Sequence, residues 1–347
     1  MAVDVNVEVK MDATETVKDL KGPIKRLADG VCNIFGKPFE AFFHRRETDA
    51  KVYRVNQFAT VLKEHSDLPI ICKGDSIEID NTSDFEALCA RTGQRLAYQE
   101  ITKQQNIETI IGKAIAELEG KEVSASQAFQ LSQPSDEKIS PEWMNRFINA
   151  AGDISTKEMQ ELWAKVLTGE AVKPNSYSLR TLECLRNLSS SDAQLFEKIS
   201  EFIISDSFLF NDNELNTRYG ITYRDILDLG DCGLINPSGF NSRNMFVSKQ
   251  PQILVDFGEY ILVASVVSSE KEHTISFADY LLTRAGKELS RVARKKSVSL
   301  DYAKDVSSAI KRNNKDNEIS LTLHNVIQRN ADGTISYDLH DIIAVSP

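Results

Sequence analysis

Few residues in this chain have the type and spacing to do chemistry. The five histidines are His44, His65, His273, His324 and His340, and none lies within ligand spacing of a cysteine or a second histidine. No sequence-local zinc site is therefore expected. His340-Asp341 sits in an expected strand, where adjacent residues face opposite sides, which predicts a surface or capped histidine. The five cysteines, Cys32, Cys72, Cys89, Cys184 and Cys232, are odd in number with no close pair, so they read as reduced core residues of a cytoplasmic protein. The chain holds no G-x-x-x-x-G-K-[ST], no G-x-G-x-x-G and no G-x-S-x-G, which removes the phosphate-loop, dinucleotide and nucleophile-elbow fingerprints. Acid-x-Lys triplets such as Glu8-Val9-Lys10 are expected by chance among 51 acids and 41 bases. A site assembled across the fold leaves no local signature, so a metal-dependent hydrolase or nuclease remains a third reading. No catalytic, cofactor-binding or metal-ligating residue is assigned, and no cofactor is expected.

Two segments could bind rather than catalyse. The first is Arg291–Lys315, with Arg291, Arg294, Lys295, Lys296, Lys304, Lys311, Arg312 and Lys315 against only two acids. Such a run can displace counterions from a phosphate backbone, face an acidic protein surface, or simply be solvated. The second is the turn after Trp163, where Glu170 and Arg180 flank Pro174. A carboxylate and a guanidinium on neighbouring helix ends are expected to pair and fix that turn.

The elements that must position these residues are mostly helical. Val3, Val5, Val7 and Val9 alternate with polar residues, a period-two strand that must pair within its domain or with another subunit. Val17, Leu20, Ile24, Leu27, Val31 and Ile34 follow a 3-4 spacing broken at Gly22-Pro23, so a second helix is expected from Pro23. Phe35, Phe39, Phe42 and Phe43 follow, bordered by His44, Arg45 and Arg46; this aromatic stripe is read as core, with a membrane-surface role as the alternative. Helices are expected over 52–62 and 85–119, and a linker over 120–138.

Next comes a helical block with clear punctuation. Ser140-Pro141 caps one helix that Gly152 ends. Ser155 and Glu158 are read as a capping box for a second, stopped by Gly169. Leu179 to Leu188 and Ala193 to Ile204 supply two more. Beyond Ser205, short helices at Asn213–Tyr219 and Tyr223–Asp228 precede a hairpin of Ile253–Val255 with Tyr260–Val267. That order resembles a winged-helix module, with Thr222–Gly230 as its recognition segment. Helices are expected at Tyr280–Ala293 and Leu300–Arg312, then a hairpin around Asn330-Ala331-Asp332-Gly333.

The fold class is therefore α+β and mainly helical. A central helical core is followed by a winged-helix-like α/β domain and a C-terminal β-hairpin. The expected domains are 1–50, 51–135, 136–205, 206–298 and 299–347. The length of 347 residues suits several domains. The net charge of −10 repels nucleic acid and anionic lipid overall, yet 291–315 is locally +6. The first residues lack a basic region and an apolar run, so no secretory signal is expected, and no segment is apolar enough for a membrane span.

Several segments together resemble an uncharacterised bacterial family of unknown function. They are Glu142-Trp143-Met144-Asn145-Arg146-Phe147, the run Met159 to Glu170, Pro174, Ser178-Leu179-Arg180-Thr181-Leu182, Gly230-Asp231-Cys232-Gly233-Leu234-Ile235, and Leu282 to Leu289. Trp163, Glu170, Pro174 and Arg180 mark it. Asn175 stands where a Gly is usual, so that turn is expected to differ. The resemblance implies a bacterial cytoplasmic protein from mobile-element or defence-island settings. It implies no established activity. The leading expectation is a non-enzymatic interaction or sensor protein of anti-phage defence or prophage biology, acting as a homo-oligomer or through a protein partner. The alternative is a DNA-binding protein using the winged helix and 291–315.

Overall fold

The structure is a computed structural model that describes residues 22–35, 70–73, 76–79, 84–123, 137–238, 241–267, 273–294, 297–314, 318–330 and 333–343. The expected strand Val3–Val9, the Phe39–Phe43 stripe, the 52–62 helix and most of the 120–138 linker lie outside them. The chain is mixed α/β, with more helix than strand, and its sheets are antiparallel. It divides into two compact units, one of residues 1–120 and 134–175, the other of 121–133 and 176–347.

In the first unit, α1 (Gly22–Phe35) packs on α3 (Pro141–Ala151) and α4 (Lys157–Val172). Ile24, Leu27, Ala28 and Val31 form the buried stripe of α1, as the 3-4 spacing predicts. A short hairpin joins β1 (Ile70–Lys73) to β2 (Ser76–Ile79), and α2 runs over Asp84–Val123. Ile107, Ile110, Ile111, Ala114 and Leu118 of α2 are buried. Trp143 stacks on Phe147, and Phe147 meets Trp163, each at 5.1 Å between ring centroids. The aromatic positions of the helical block are thus core positions.

Ser140 caps α3 through Trp143 N, with Pro141 at its first turn. Two punctuation readings are corrected. Thr156, not Ser155, is the N-cap of α4, and its side chain makes no cap hydrogen bond. Gly169 does not stop α4, which continues to Val172. Burial of Thr168, Glu170 and Ala171 around it outweighs the roughly 1 kcal/mol that an interior glycine costs a helix. The chain turns after Pro174, where the buried Glu170 carboxylate accepts the Asn175 amide at 2.7 Å. Asn175 has φ +66, the left-handed conformation that Gly supplies freely and Asn tolerates.

The second unit opens with α5 (Leu179–Asn187) and α6 (Ser190–Ser200). Then come β3 (Phe208–Phe210), α7 (Asn213–Arg218), α8 (Tyr223–Asp231), β4 (Ser242–Val247), β5 (Gln252–Asp256), β6 (Tyr260–Val266) and β7 (His273–Leu281). It closes with α9 (Arg284–Ala293), α10 (Leu300–Asn313), β8 (Ile319–Arg329) and β9 (Ile335–Ile343). One sheet has the order β3-β7-β4 and the other β5-β6-β8-β9. The expected hairpins at 253–267 and around 330–333 both form, but the first joins the second inside the four-stranded sheet. The three-stranded sheet is built instead from β3, β4 and β7. The helix expected from Tyr280 begins at Arg284, because Tyr280 and Leu281 pair with β3 residues Leu209 and Phe208. A core of Phe208, Phe210, Val255, Leu262, Phe277, Tyr302, Val306 and Leu323 lies among the two sheets and α10.

Candidate functional site

Three segments of the second unit that are far apart in sequence meet at the start of α9. Thr283 caps α9 through Gly286 N. The Thr283 hydroxyl donates to the Gly233 carbonyl at 2.6 Å, and its amide to the Leu234 carbonyl at 3.0 Å. Ile235 bridges Leu282. Gly286 lies so close that an added Cβ would stand 2.0 Å from the Leu234 carbonyl oxygen. One turn on, the Glu288 carboxylate accepts the Ser178 amide at 2.7 Å, the Thr181 hydroxyl at 2.6 Å and Arg284 Nε at 2.7 Å. Burial acts to raise the Glu288 pKa, but these three donors outweigh it and hold the carboxyl below its ordinary range.

Beside this junction is a cleft of ≈ 580 Å³ lined by residues of α5, the α8 C-terminus and the α9 N-terminus, among them Arg180, Cys184, Cys232 and Arg284. Sequence spacing hid the proximity of Cys184 to Cys232, and neither is a fully buried core residue, since both are half-buried. The Cys184 thiol donates to the Cys232 carbonyl at 3.0 Å. Burial, with Cys232 beside it, pushes the Cys184 thiol up to about 11. Burial and then the carboxylates of Asp192, Asp231 and Asp228 push Cys232 up to about 11. Among the described residues, no three or more His, Cys, Asp or Glu side chains gather in a way that could hold a metal ion.

A second surface belongs to α8. Thr222 and Asp225 form a capping box at its start. Ile226 and Leu229 turn inward, while Tyr223 and Leu227 are 55% and 40% exposed. These two stand four residues apart and share a face. Arg224 is exposed and lies 3.8 Å from Asp228.

The expected basic segment is divided by the fold. Arg294 donates to the carbonyls of Ser200 and Ile203 at 3.0 and 3.1 Å and pairs with Asp206 at 3.2 Å. Arg312 pairs with Asp212 at 3.2 Å. Arg291 and Lys311 are exposed and Lys304 is half-buried. Lys295, Lys296 and Lys315 lie outside the described residues. Of the turn residues, Trp163 and Glu170 are buried in the first unit. Pro174 is buried in the same unit, and Arg180 is exposed on α5 in the second.

A family described as "Protein of unknown function (DUF2806)" matches residues 90–307. The chain belongs to this family. The DUF2806 match takes in Trp163, Glu170, Pro174, Arg180, both cysteines of the cleft and the whole Glu288 junction. It ends before Lys311, Arg312, β8 and β9. No curated protein and no solved structure matches the chain.

The sequence reading missed Glu288, Thr283 and the two capping boxes at Ser189/Asp192 and Thr222/Asp225. The boxes had a visible signal, Ser/Thr followed three residues later by an acid. Glu288 had only the local pair with Arg284 four residues earlier, because its other two partners are 107 and 110 residues away.

Proposed function

We propose that this protein is a non-enzymatic interaction or sensor protein, acting through oligomerisation or a protein partner in bacterial anti-phage defence or prophage biology. The defence setting rests on the family resemblance of the segments around Trp163–Leu182 and Leu282–Leu289. The mode of action rests on α8. The order α6-β3-α7-α8-β4-β7 and the sheet order β3-β7-β4 support a winged-helix reading. Its usual wing loop is replaced by β5 and β6. In such a module α8 stands where the recognition helix does.

The observation that carries the reading is the exposed face of α8. It offers Tyr223 and Leu227, and Arg224 lies within reach of Asp228. An aromatic and an aliphatic anchor with charges at the rim suit a protein surface better than a phosphate backbone. Mass measured across a concentration series, with recovery of partners from phage-infected cells, tests it. A chain that stays monomeric and brings down no partner contradicts it.

The winged-helix order also favours a second reading, DNA binding through α8 with Arg291 and Lys311. A duplex-DNA shift assay over a salt series decides between them. Binding at low salt that Arg291→Ala and Lys311→Ala weaken supports the second reading, and no binding at low salt ends it.

A further inference from the structure

The cleft beside α9 contains a pair of thiols with no role in the reading above. Cys184 is in the middle of α5, and Cys232 is the C-cap of α8. The 3.0 Å contact from Cys184 Sγ to the Cys232 carbonyl brings one sulfur against the backbone of the residue that carries the other. Both line the same open cleft; Cys232 lies near enough to raise the Cys184 pKa, while the Cys232 thiol itself is hydrogen-bonded to Asp192. Both are half-buried on the wall of that cleft, so a small oxidant can reach them. Forty-seven residues separate them along the chain, and the fold alone makes them neighbours.

We propose that Cys184 and Cys232 are an oxidative modification site, closing to an intrachain disulfide under a peroxide. One thiol loses its proton, and the thiolate attacks the peroxide O–O bond. That bond breaks, a sulfenic acid forms on the first sulfur, and one water leaves. The second thiol then displaces the sulfenic oxygen as a second water, and the S–S bond forms. The two sulfurs lose two electrons to the peroxide, which is reduced to two waters. The bond would tie α5 to the C-terminal end of α8.

Both thiols stay protonated at neutral pH: burial, with Cys232 beside it, pushes Cys184 to about 11, and burial with the carboxylates of Asp192, Asp231 and Asp228 pushes Cys232 to about 11. The reaction is therefore slow near pH 7 and quickens about tenfold per pH unit as the thiolate fraction grows. This separates the pair from an activated redox centre and makes it a sensor of sustained oxidation.

The test uses the full chain treated with hydrogen peroxide at pH 7 and pH 9, then alkylated and mapped by mass spectrometry. The expected result is one dominant cross-linked species joining the Cys184 and Cys232 peptides, two hydrogens lighter than their sum. It forms faster at pH 9 and is absent from Cys184→Ser and from Cys232→Ser. The same treatment in urea is expected to give mixed cross-links among the five cysteines. The proposal is overturned if both peptides remain singly alkylated while the protein keeps its cooperative melt. It is also overturned if either cysteine prefers a different partner in the folded chain, or if the Cys184–Cys232 cross-link forms only in urea.

Discussion

The Thr181 hydroxyl donates to the Glu288 carboxylate over 2.6 Å, and this contact ties α5 to α9. The Ser178 amide and Arg284 Nε complete the carboxylate's partners. Ser178 is also the N-cap of α5, accepting from Thr181 N, so Glu288 holds both the cap and the first turn of that helix.

Replacing Glu288 with Gln keeps the shape but removes the charge, and urea unfolding is expected to show a loss of about 1–3 kcal/mol. The folded carboxyl titrates below its ordinary value of 4.5. Its contribution is therefore complete above that value and is lost as pH falls through the lower folded value. The stability gap between wild type and Glu288→Gln is expected to be flat near neutrality and to shrink in acid below about 4.5. A gap that widens in acid refutes this.

Gly286 and Gly112 are both helical but differ in what a methyl group would meet. At Gly286 the new Cβ would stand 2.0 Å from the Leu234 carbonyl oxygen, a backbone atom. Gly286→Ala is expected to cost about 3 kcal/mol or more, as α9 is pushed off the 233–235 segment. At Gly112, in α2, nothing lies within 4 Å. Gly112→Ala is expected to stabilise by roughly 0.5–1 kcal/mol, because alanine loses less backbone freedom on folding. Thermal melts of the two variants should move in opposite directions.

Arg294 and Arg291 test what the basic segment is for. Arg294 binds the Ser200 carbonyl at the end of α6 and the Ile203 carbonyl just past it, and pairs with Asp206. Arg294→Ala is expected to cost about 1–3 kcal/mol, since it removes the Arg294 donor from the Ile203 carbonyl and leaves the Ser200 carbonyl only the 3.4 Å contact from Ile203 N. Arg291 is exposed, and Arg291→Ala should fall within about 0.5 kcal/mol of wild type. Equal melts for the two variants would mean that the Arg294 contacts contribute nothing in solution.

The α8 surface separates stability from association. Tyr223→Ser and Leu227→Ser alter exposed side chains, so their melts should stay within about 0.5 kcal/mol of wild type. Their self-association or partner recovery should fall at least tenfold, as expected when an aromatic or aliphatic anchor is removed from an interface centre. Variants that fold and still associate at full strength place the contact elsewhere.

The helices were legible from sequence because their signals are local. Ser140-Pro141, the Trp143–Phe147–Ile148 face and the 3-4 stripe of Ile24, Leu27 and Val31 each lie within a few residues of one another. The sheets were legible as strands but not as partners. Ile253–Val266 looks like a wing, yet Tyr260 to Val266 pair with β8 residues more than fifty positions away. The expected Gly169 stop fails because burial of Thr168, Glu170 and Ala171 carries α4 on to Val172, and burial is not local. The start of α4 is exposed, and nothing in the structure explains why its cap is Thr156 and not Ser155. The Cys184–Cys232 pair and the Glu288 junction were hidden in the same way, since only the fold brings α5, α8 and α9 together.

The central claim is that α8 meets protein. A photoreactive amino acid placed at Leu227 tests it most directly, by irradiation in phage-infected cells followed by mass spectrometry of the adducts. The account predicts a covalent adduct to a protein, either another copy or one defined partner, that is absent when the probe replaces the buried Ile226. An adduct to nucleic acid at Leu227, or none to any protein, would contradict it.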